Sequence, residues 1–144
     1  SKISEIMQTV IIFLSLFFTS FILQSQVNTI EVTITNFDSN EGNALVAIYD
    51  SEANFLNTRY KGDVVGIKDN TVVVAFNDVP DGVYAVSSFH DKNSDGKLNM
   101  KMGFYPTEDT ASSNNAPARF GPPTWEDAKF EVRGGKVIRQ IISM

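Results

Sequence analysis

The segment TIEVTITNF, residues 29–37, has the clearest strand pattern in this chain. Its apolar residues Ile30, Val32 and Ile34 alternate with polar residues. Successive side chains of a strand point to opposite faces of a sheet, so this period of two places all three apolar residues on one face. The stretch therefore predicts a strand with one face in a core and the other face in solvent.

Six further segments are rich in the β-branched and aromatic residues that favour strands. They are ALVAIYD (44–50), VVGIK (64–68), TVVVAF (71–76), VYAVSSF (83–89), AKFEVR (128–133) and KVIRQIIS (136–143). The first of these is apolar on both faces, which predicts a central strand. Two-residue turn signals, Asp69-Asn70 and Gly134-Gly135, each separate two of these segments and predict hairpins.

The spacing of these segments predicts the fold class. Short strands without a long amphipathic helix predict an all-β protein, an antiparallel β-sandwich of immunoglobulin-like or transthyretin-like type, with about seven strands and one long ordered loop. The segment SEANFLNTR (51–59) is either a short helical turn or an irregular loop. Pro80-Asp81-Gly82 followed by Tyr84 predicts a tyrosine corner, in which the Tyr hydroxyl bonds the backbone at the start of a strand.

Composition limits the possible partners. The 144-residue chain has a net charge of -5 and no cysteine. The acidic balance argues against nucleic acid as a partner, since binding to phosphates requires a basic face. A chain without cysteine has no disulfide, thiolate metal ligand or cysteine nucleophile. The domain must therefore be held together by its core, with a bound ion as a possible addition.

The first 25 residues differ from the rest in composition. A short polar start with Lys2 leads into an apolar block from Val10 to Leu23, followed by small and polar residues. This is the form of a secretory signal peptide, and an uncleaved anchor is the alternative because a membrane-spanning helix needs about 20 apolar residues. We expect a leader at 1–25, a single domain at 26–144 and an exported protein, periplasmic or extracellular. It would contact the membrane only if the leader is retained.

The long region of residues 90–126 contains a pattern typical of calcium loops, with oxygen-bearing side chains at alternate positions from Asp91. The candidate ligands are Asp91, Asn93, Asp95, the backbone carbonyl of Lys97, and Asn99. Met102 stands where a bidentate Glu would complete such a loop, so a Ca²⁺ ion would be held weakly unless Glu108 or Asp109 adds a ligand. The alternative is a polar turn in which Asx side chains bond their own backbone.

His90, the only His of the chain, directly precedes this loop. We expect its ring to bond a loop carbonyl at the end of a strand. The alternative is a general base in a hydrolase. A zinc site is disfavoured here because one imidazole supplies too few nitrogen or sulfur ligands.

The stretch SSNNAPARFGPPTWEDAKFEV, residues 112–132, has two interpretations. In the first, Phe120 and Trp125 plug the core while Arg119 pairs with a loop acid. In the second, aromatic and Arg residues form a binding surface, since these residue types dominate binding hot spots. The residues of this surface are Tyr105, Arg119, Phe120 and Trp125. Thr124 is predicted to cap a short turn, with Asp127 three residues later.

Two long motifs carry a resemblance to a known family. The segments DGVYAVSSFHDKNSDGKLN (81–99) and SSNNAPARFGPPTWEDAKFEV (112–132), with Gly103 and Pro106 between them, resemble secreted bacterial proteins called domain of unknown function 2141. The resemblance extends over most of the chain after the leader. It implies an exported β-rich domain and supplies no activity, substrate or catalytic residue.

Together these patterns favour a non-enzymatic module of the cell envelope. We expect it to bind or scaffold other components, either an envelope protein or a glycan, through its long loop. A hydrolase that uses His90 and a subunit of a membrane assembly held by an uncleaved N-terminal helix are the alternatives.

Overall fold

The computed structural model of the chain describes residues 1–22, 26–97, 100–101, 105–106 and 108–144, without the side chains of residues 13–22, 100–101 and 105–106. Eight strands form two sheets. The first sheet contains β1 (Val27–Thr35), β4 (Val72–Pro80) and β10 (Val137–Ser143). In this sheet β1 is central, with β10 on one side and β4 on the other.

The second sheet contains β2 (Asn43–Tyr49), β3 (Lys61–Gly66), β5 (Gly82–Asp91), β8 (Thr110–Ser112) and β9 (Phe130–Val132). Its order is β3-β2-β5-β8, and β9 pairs with another part of β5. The predicted central position of ALVAIYD is therefore confirmed, because β2 lies between β3 and β5. A separate ribbon pairs β6 (Met100–Lys101) with β7 (Tyr105–Pro106).

Helices contribute little to the domain. The described helices are α1 (Lys2–Ile22), a 3-10 turn (Ser113–Asn115) and α2 (Trp125–Ala128). Among the described residues, no helix has both the length and the apolarity that a membrane span requires. Residues 52–57 form hydrogen-bonded turns and no regular helix. Oγ of Ser51 accepts the N–H of Asn54 over 3.3 Å, so the interpretation of segment 51–59 as a short capped turn is confirmed.

The two sheets enclose one hydrophobic core. Ile30, Val32 and Ile34 of β1 are all fully buried, as the alternation in residues 29–37 predicts. They share the core cluster with Val46 and Ile48 of β2. All seven predicted strands are present, and the all-β sandwich is confirmed.

Both predicted hairpins are wrong, although both turns occur. Asp69 and Asn70 have positive φ angles of 52° and 58°, as a tight turn of this type requires. Beyond the single bridge between Lys68 and Thr71, however, β3 and β4 belong to different sheets. Likewise, the Gly134-Gly135 turn connects β9 of the second sheet to β10 of the first. Local turn chemistry sets the reversal of the chain, whereas packing decides which edges pair.

One strand pair departs from the predicted antiparallel arrangement. β1 and β10 run parallel, with partners from Thr29 and Val137 to Thr35 and Ser143. Parallel neighbours need a long crossover connection, and here β4 and the whole second sheet lie between them in sequence. The first sheet is therefore mixed, because β1 pairs in parallel with β10 and antiparallel with β4.

Candidate functional site

The loop between β1 and β2, residues 36–42, lies against the end of β5. Gly42 has a φ of 67° and approaches so closely that a Cβ there would lie 2.0 Å from the carbonyl oxygen of Asp91. Phe37 is buried, and its ring meets the His90 ring edge-on with centroids 5.2 Å apart. The close approach at the glycine and this ring contact hold the loop beside His90.

The His90 side chain is fully buried at this junction. Its Nε2 lies 2.6 Å from the carbonyl oxygen of Glu41. Since a carbonyl only accepts, Nε2 must carry the hydrogen. The predicted bond from the ring to a loop carbonyl is thereby confirmed.

The other ring nitrogen of His90, Nδ1, faces the carboxylate of Asp38 at 3.4 Å. It makes no hydrogen bond within the part of the chain that the structure describes. The backbone N–H of His90 donates to the carbonyl oxygen of Asp109 over 2.9 Å, which brings Asp109 to the same place. One ring nitrogen of His90 and one carboxylate oxygen from each of Asp38 and Asp109 all lie within 4.8 Å of one another.

Lys92 balances part of this negative charge. Its Nζ lies 2.5 Å from Oδ2 of Asp38, and both side chains are substantially exposed. The hydrogen bond from Lys92 lowers the pKa of Asp38, and the same bond raises the pKa of Lys92. Both groups therefore stay charged at neutral pH.

The candidate calcium loop begins with a buried carboxylate. Oδ1 of Asp91 accepts the backbone N–H of Asp95 over 3.2 Å, and its Oδ2 accepts the N–H of Gly96 over 2.7 Å. Oδ1 of Asp95 accepts the N–H of Lys97 over 2.9 Å. These are the bonds of the polar-turn alternative. A carboxylate oxygen that accepts one N–H has a second lone pair with which to bind a metal ion. These bonds therefore do not decide against calcium, and the calcium site stays a prediction.

The other candidate ligands differ in position. Asn93 and Lys97 are exposed, and the Nδ2 of Asn93 donates to Oδ2 of Asp95 over 3.2 Å. Asn99 lies outside the described residues. Asp109, one of two acids named as a source of an additional calcium ligand, has its carboxylate beside His90 and Asp38.

The predicted binding surface divides into two parts. Phe120 is fully exposed, which contradicts its predicted role as a core plug, and Arg119 beside it is exposed as well. Arg119 forms no ion pair with any described residue, so its predicted pairing with a loop acid is wrong. Trp125 is half-buried and packs on Phe55, with ring centroids 5.8 Å apart. The side chain of Tyr105 is outside the described part of the chain.

The segment that presents Phe120 is closed at its base. Nδ2 of Asn114 donates to the carbonyl oxygens of Asp127 and Lys129, over 3.1 and 2.9 Å. Oγ1 of Thr124 accepts the N–H of Asp127 over 3.2 Å, so the predicted cap is confirmed. Residues 116–124 therefore form a loop whose two ends are tied together. We call residues 116–124 the Phe120 loop.

Ser113 holds this base to the core. Its buried Oγ accepts the N–H of Val86 over 2.8 Å and donates to the carbonyl oxygen of Ala128 over 2.6 Å. Oδ1 of Asn115 accepts the N–H of Ser143 over 2.9 Å. The SSNN motif thus connects strands of both sheets to the start of the Phe120 loop.

Comparison with protein families gives a match over most of the chain. The family described as "Uncharacterized protein conserved in bacteria (DUF2141)" matches residues 32–140. The chain belongs to this family. No curated protein and no solved structure matches the chain significantly. The DUF2141 match extends from β1 into β10, so it includes the candidate calcium loop, the Phe120 loop and the group formed by Asp38, His90 and Asp109.

Sequence reasoning missed two features of this DUF2141 domain. Asp38 was not a candidate ligand, because it is more than 50 residues from His90 and no local spacing connects them. The second feature is a groove on the outer face of the second sheet, lined by Tyr49, Arg59, Asp63 and Phe89, among others. The sequence signal for that surface is the second apolar face of β2, with Leu45, Ala47 and Tyr49 at alternate positions.

Proposed function

We propose that this DUF2141 protein is an exported module of the bacterial cell envelope that binds or scaffolds another envelope protein. The observation that carries the proposal is the exposed Phe120 beside Arg119 on a loop with a closed base. An exposed large aromatic side chain offers apolar area that a partner protein can bury, and this burial would stabilise a complex. Phe and Arg are among the residue types enriched at protein interfaces.

The anchoring of the loop adds to this argument. A segment that is already ordered loses little conformational entropy when it binds, so more of its contact energy appears as affinity. Asn114, Ser113 and Thr124 supply such order at the base of the Phe120 loop. The signal-like composition of residues 1–25 supports export.

A binding role also agrees with the surroundings of His90. Its ring is fully buried, and Nε2 is engaged by the Glu41 carbonyl. A general base must reach the proton of a substrate directly or through one water molecule. A ring enclosed in this way supports a binding role over a hydrolase.

Site-specific photo-crosslinking in the native host tests the proposal. A photoreactive amino acid is placed at Phe120 or Arg119 of the full chain, with Val73 as the control position. Val73 is 59% exposed and lies on β4 in the other sheet. We expect discrete protein adducts from positions 119 and 120 and none from position 73. Absence of adducts at 119 and 120, or the same adducts at all three positions, contradicts the proposal.

A glycan is the second candidate ligand, because of the groove on the second sheet. Tyr49 and Phe89 offer aromatic surface there, and Arg59 and Asp63 offer charged hydrogen-bonding groups. Binding of isolated envelope polysaccharide to the wild type and to Arg59→Ala tests this candidate. A glycan ligand predicts weaker binding by Arg59→Ala and unchanged binding by Phe120→Ser, which separates it from the protein partner.

A further inference from the structure

The unpaired nitrogen of His90 has a defined chemical state. Because Nε2 carries the hydrogen that it donates to Glu41, a neutral ring has its lone pair on Nδ1. That lone pair is buried and has no hydrogen-bond partner among the described residues. It faces the carboxylate of Asp38, and the carboxylate of Asp109 lies beside both. The interaction of this lone pair with the two carboxylates is repulsive unless a proton or a metal ion lies between them.

We propose that Nδ1 of His90 and the carboxylates of Asp38 and Asp109 bind a divalent transition-metal ion such as Zn²⁺. Imidazole nitrogen favours this class of metal over calcium and magnesium, which prefer oxygen ligands. The single imidazole disfavours zinc only when nitrogen and sulfur ligands alone are counted, whereas Zn²⁺ also accepts carboxylate oxygens. Asp38 and Asp109 supply two of these and balance the charge of the ion. The second ring nitrogen bonds a backbone carbonyl, which is the usual way in which proteins orient a metal-binding His.

The distances allow this site with small movements. In tetrahedral coordination, ligand atoms about 2.1 Å from one zinc ion lie about 3.4 Å from one another. The three groups lie within 4.8 Å of one another, so the widest separation must shrink by at most about 1.4 Å. The Asp38 side chain is 52% exposed and Asp109 is also exposed, so both can rotate, whereas His90 is fixed by its packing.

A proton on Nδ1 is the competing way to satisfy this nitrogen. A charge-assisted bond between nitrogen and a carboxylate oxygen is about 2.7–2.9 Å long. Oδ1 of Asp38 stays 3.4 Å away while Lys92 engages the other oxygen of the same carboxylate. The 3.4 Å between Nδ1 of His90 and Oδ1 of Asp38 therefore suits two ligands of one metal ion better than a hydrogen-bonded imidazolium ion pair.

The ion would join three segments that are distant in sequence. Asp38 belongs to the loop after β1, His90 lies near the end of β5, and Asp109 directly precedes β8. The chain has no cysteine, so it has no disulfide with which to make such a connection. This inference does not depend on the proposed binding role of the Phe120 loop.

The single His gives the experiment its readout. The full-length protein is labelled with ¹⁵N-histidine, and Zn²⁺ alone is added while the imidazole ¹⁵N resonances are recorded. We expect Zn²⁺ to shift the Nδ1 resonance of the wild type while Nε2 keeps its hydrogen. The same titration with Ca²⁺ should leave Nδ1 unchanged, which separates this site from the candidate calcium loop.

Three variants sharpen the test. Asp109→Asn should weaken Zn²⁺ binding by about tenfold or more, since even outer partners of metal ligands contribute that much. Asp69→Asn removes an exposed carboxylate elsewhere and should bind Zn²⁺ like the wild type. Lys92→Met removes the cation that occupies Asp38 and should tighten binding. A gain in affinity cannot arise from misfolding.

Three results would overturn the proposal. The first is an Nδ1 resonance that millimolar Zn²⁺ leaves unchanged. The second is an imidazolium at pH 7 that Zn²⁺ does not deprotonate. The third is equal affinity of the wild type and Asp109→Asn.

Discussion

The hydroxyl of Tyr84 donates a hydrogen bond to the carbonyl oxygen of Pro80 over 2.8 Å. This is the predicted tyrosine corner, and it joins the start of β5 to the end of β4 across the two sheets. Tyr84 is almost fully buried, so its hydroxyl depends on this partner.

Tyr84→Phe removes that bond and leaves the carbonyl of Pro80 without its donor. We expect a loss of about 0.5–1.5 kcal/mol in the free energy of unfolding, measured by urea denaturation. Tyr60→Phe is the control, because Tyr60 is 39% exposed and its change should stay within about 0.5 kcal/mol. Equal losses in both variants would contradict a structural role for the corner.

The alkaline pH dependence of stability provides a second prediction. Burial raises the pKa of Tyr84 and of Tyr49 above the ordinary value of 10.0. Above pH 10 the unfolded chain therefore loses these phenol protons before the folded chain does. Their contribution to stability is full below pH 10 and is lost as the pH rises through the raised values. In denaturation between pH 9 and about 11, a Tyr49→Phe and Tyr84→Phe double variant should lose less stability than the wild type. Parallel pH profiles would contradict this.

Removal of the hydroxyl from two buried serines should affect the free energy of unfolding differently. Ser113→Ala leaves the Val86 N–H and the Ala128 carbonyl unsatisfied and should cost about 1–3 kcal/mol. The Ser88 hydroxyl is equally buried but has no hydrogen-bond partner among the described residues. Ser88→Ala should therefore be neutral or stabilising. Thermal and urea denaturation of the two variants measure the difference, and a larger loss in Ser88→Ala would refute the assignment of these bonds.

Alanine variants at two glycines with positive φ distinguish the cost of steric crowding from the cost of backbone strain. Gly42→Ala should cost about 2–5 kcal/mol, because its Cβ meets the Asp91 carbonyl in addition to the strained φ. Gly96 has a φ of 74° and open space around it, so Gly96→Ala should cost only about 1–2 kcal/mol. Denaturation midpoints of the two variants check the order. If Gly96→Ala were the more damaging, the close approach of residues 36–42 to β5 would be wrong.

Calcium should stabilise the protein if residues 91–99 hold an ion. For a dissociation constant near 10⁻³ M, calcium at ten times that concentration adds about 1.4 kcal/mol. Asp95→Asn should lose this gain, whereas Asp63→Asn, a change at an exposed acid outside the loop, should keep it. Calorimetric titration and thermal unfolding measure the effect. No heat and no thermal shift in millimolar calcium would exclude the ion.

Much of the fold could be predicted from local patterns. Alternation in residues 29–37 indicates which face of β1 is buried, because strand geometry directly converts sequence period into orientation. The pairing of β1 with β10 could not be predicted, because no local sequence pattern in either strand identifies a partner so distant in the chain. The segments Asp69-Asn70 and Gly134-Gly135 show the same limit. The prediction of a turn is confirmed at each, whereas the predicted pairing of the two flanking strands is wrong.

The candidate sites follow the same division. Turn and cap chemistry at Asp91 and Thr124 could be predicted, because each side chain bonds a backbone group a few residues away. The meeting of Asp38, His90 and Asp109 could not, because it depends on the Gly42 approach and on the pairing of β5 with β8. The exposure of Phe120 also depends on tertiary packing, since an aromatic residue in a loop is compatible with a plug or with a contact surface.

The parallel pairing of β1 and β10 has a consequence for biogenesis. During synthesis, one edge of β1 remains without its native neighbour until more than 100 further residues have emerged. An unpaired strand edge readily recruits other chains, and contacts this distant in sequence form slowly. Nascent copies should therefore need chaperone protection, and their tendency to aggregate should fall sharply once β10 has left the ribosome or the export channel.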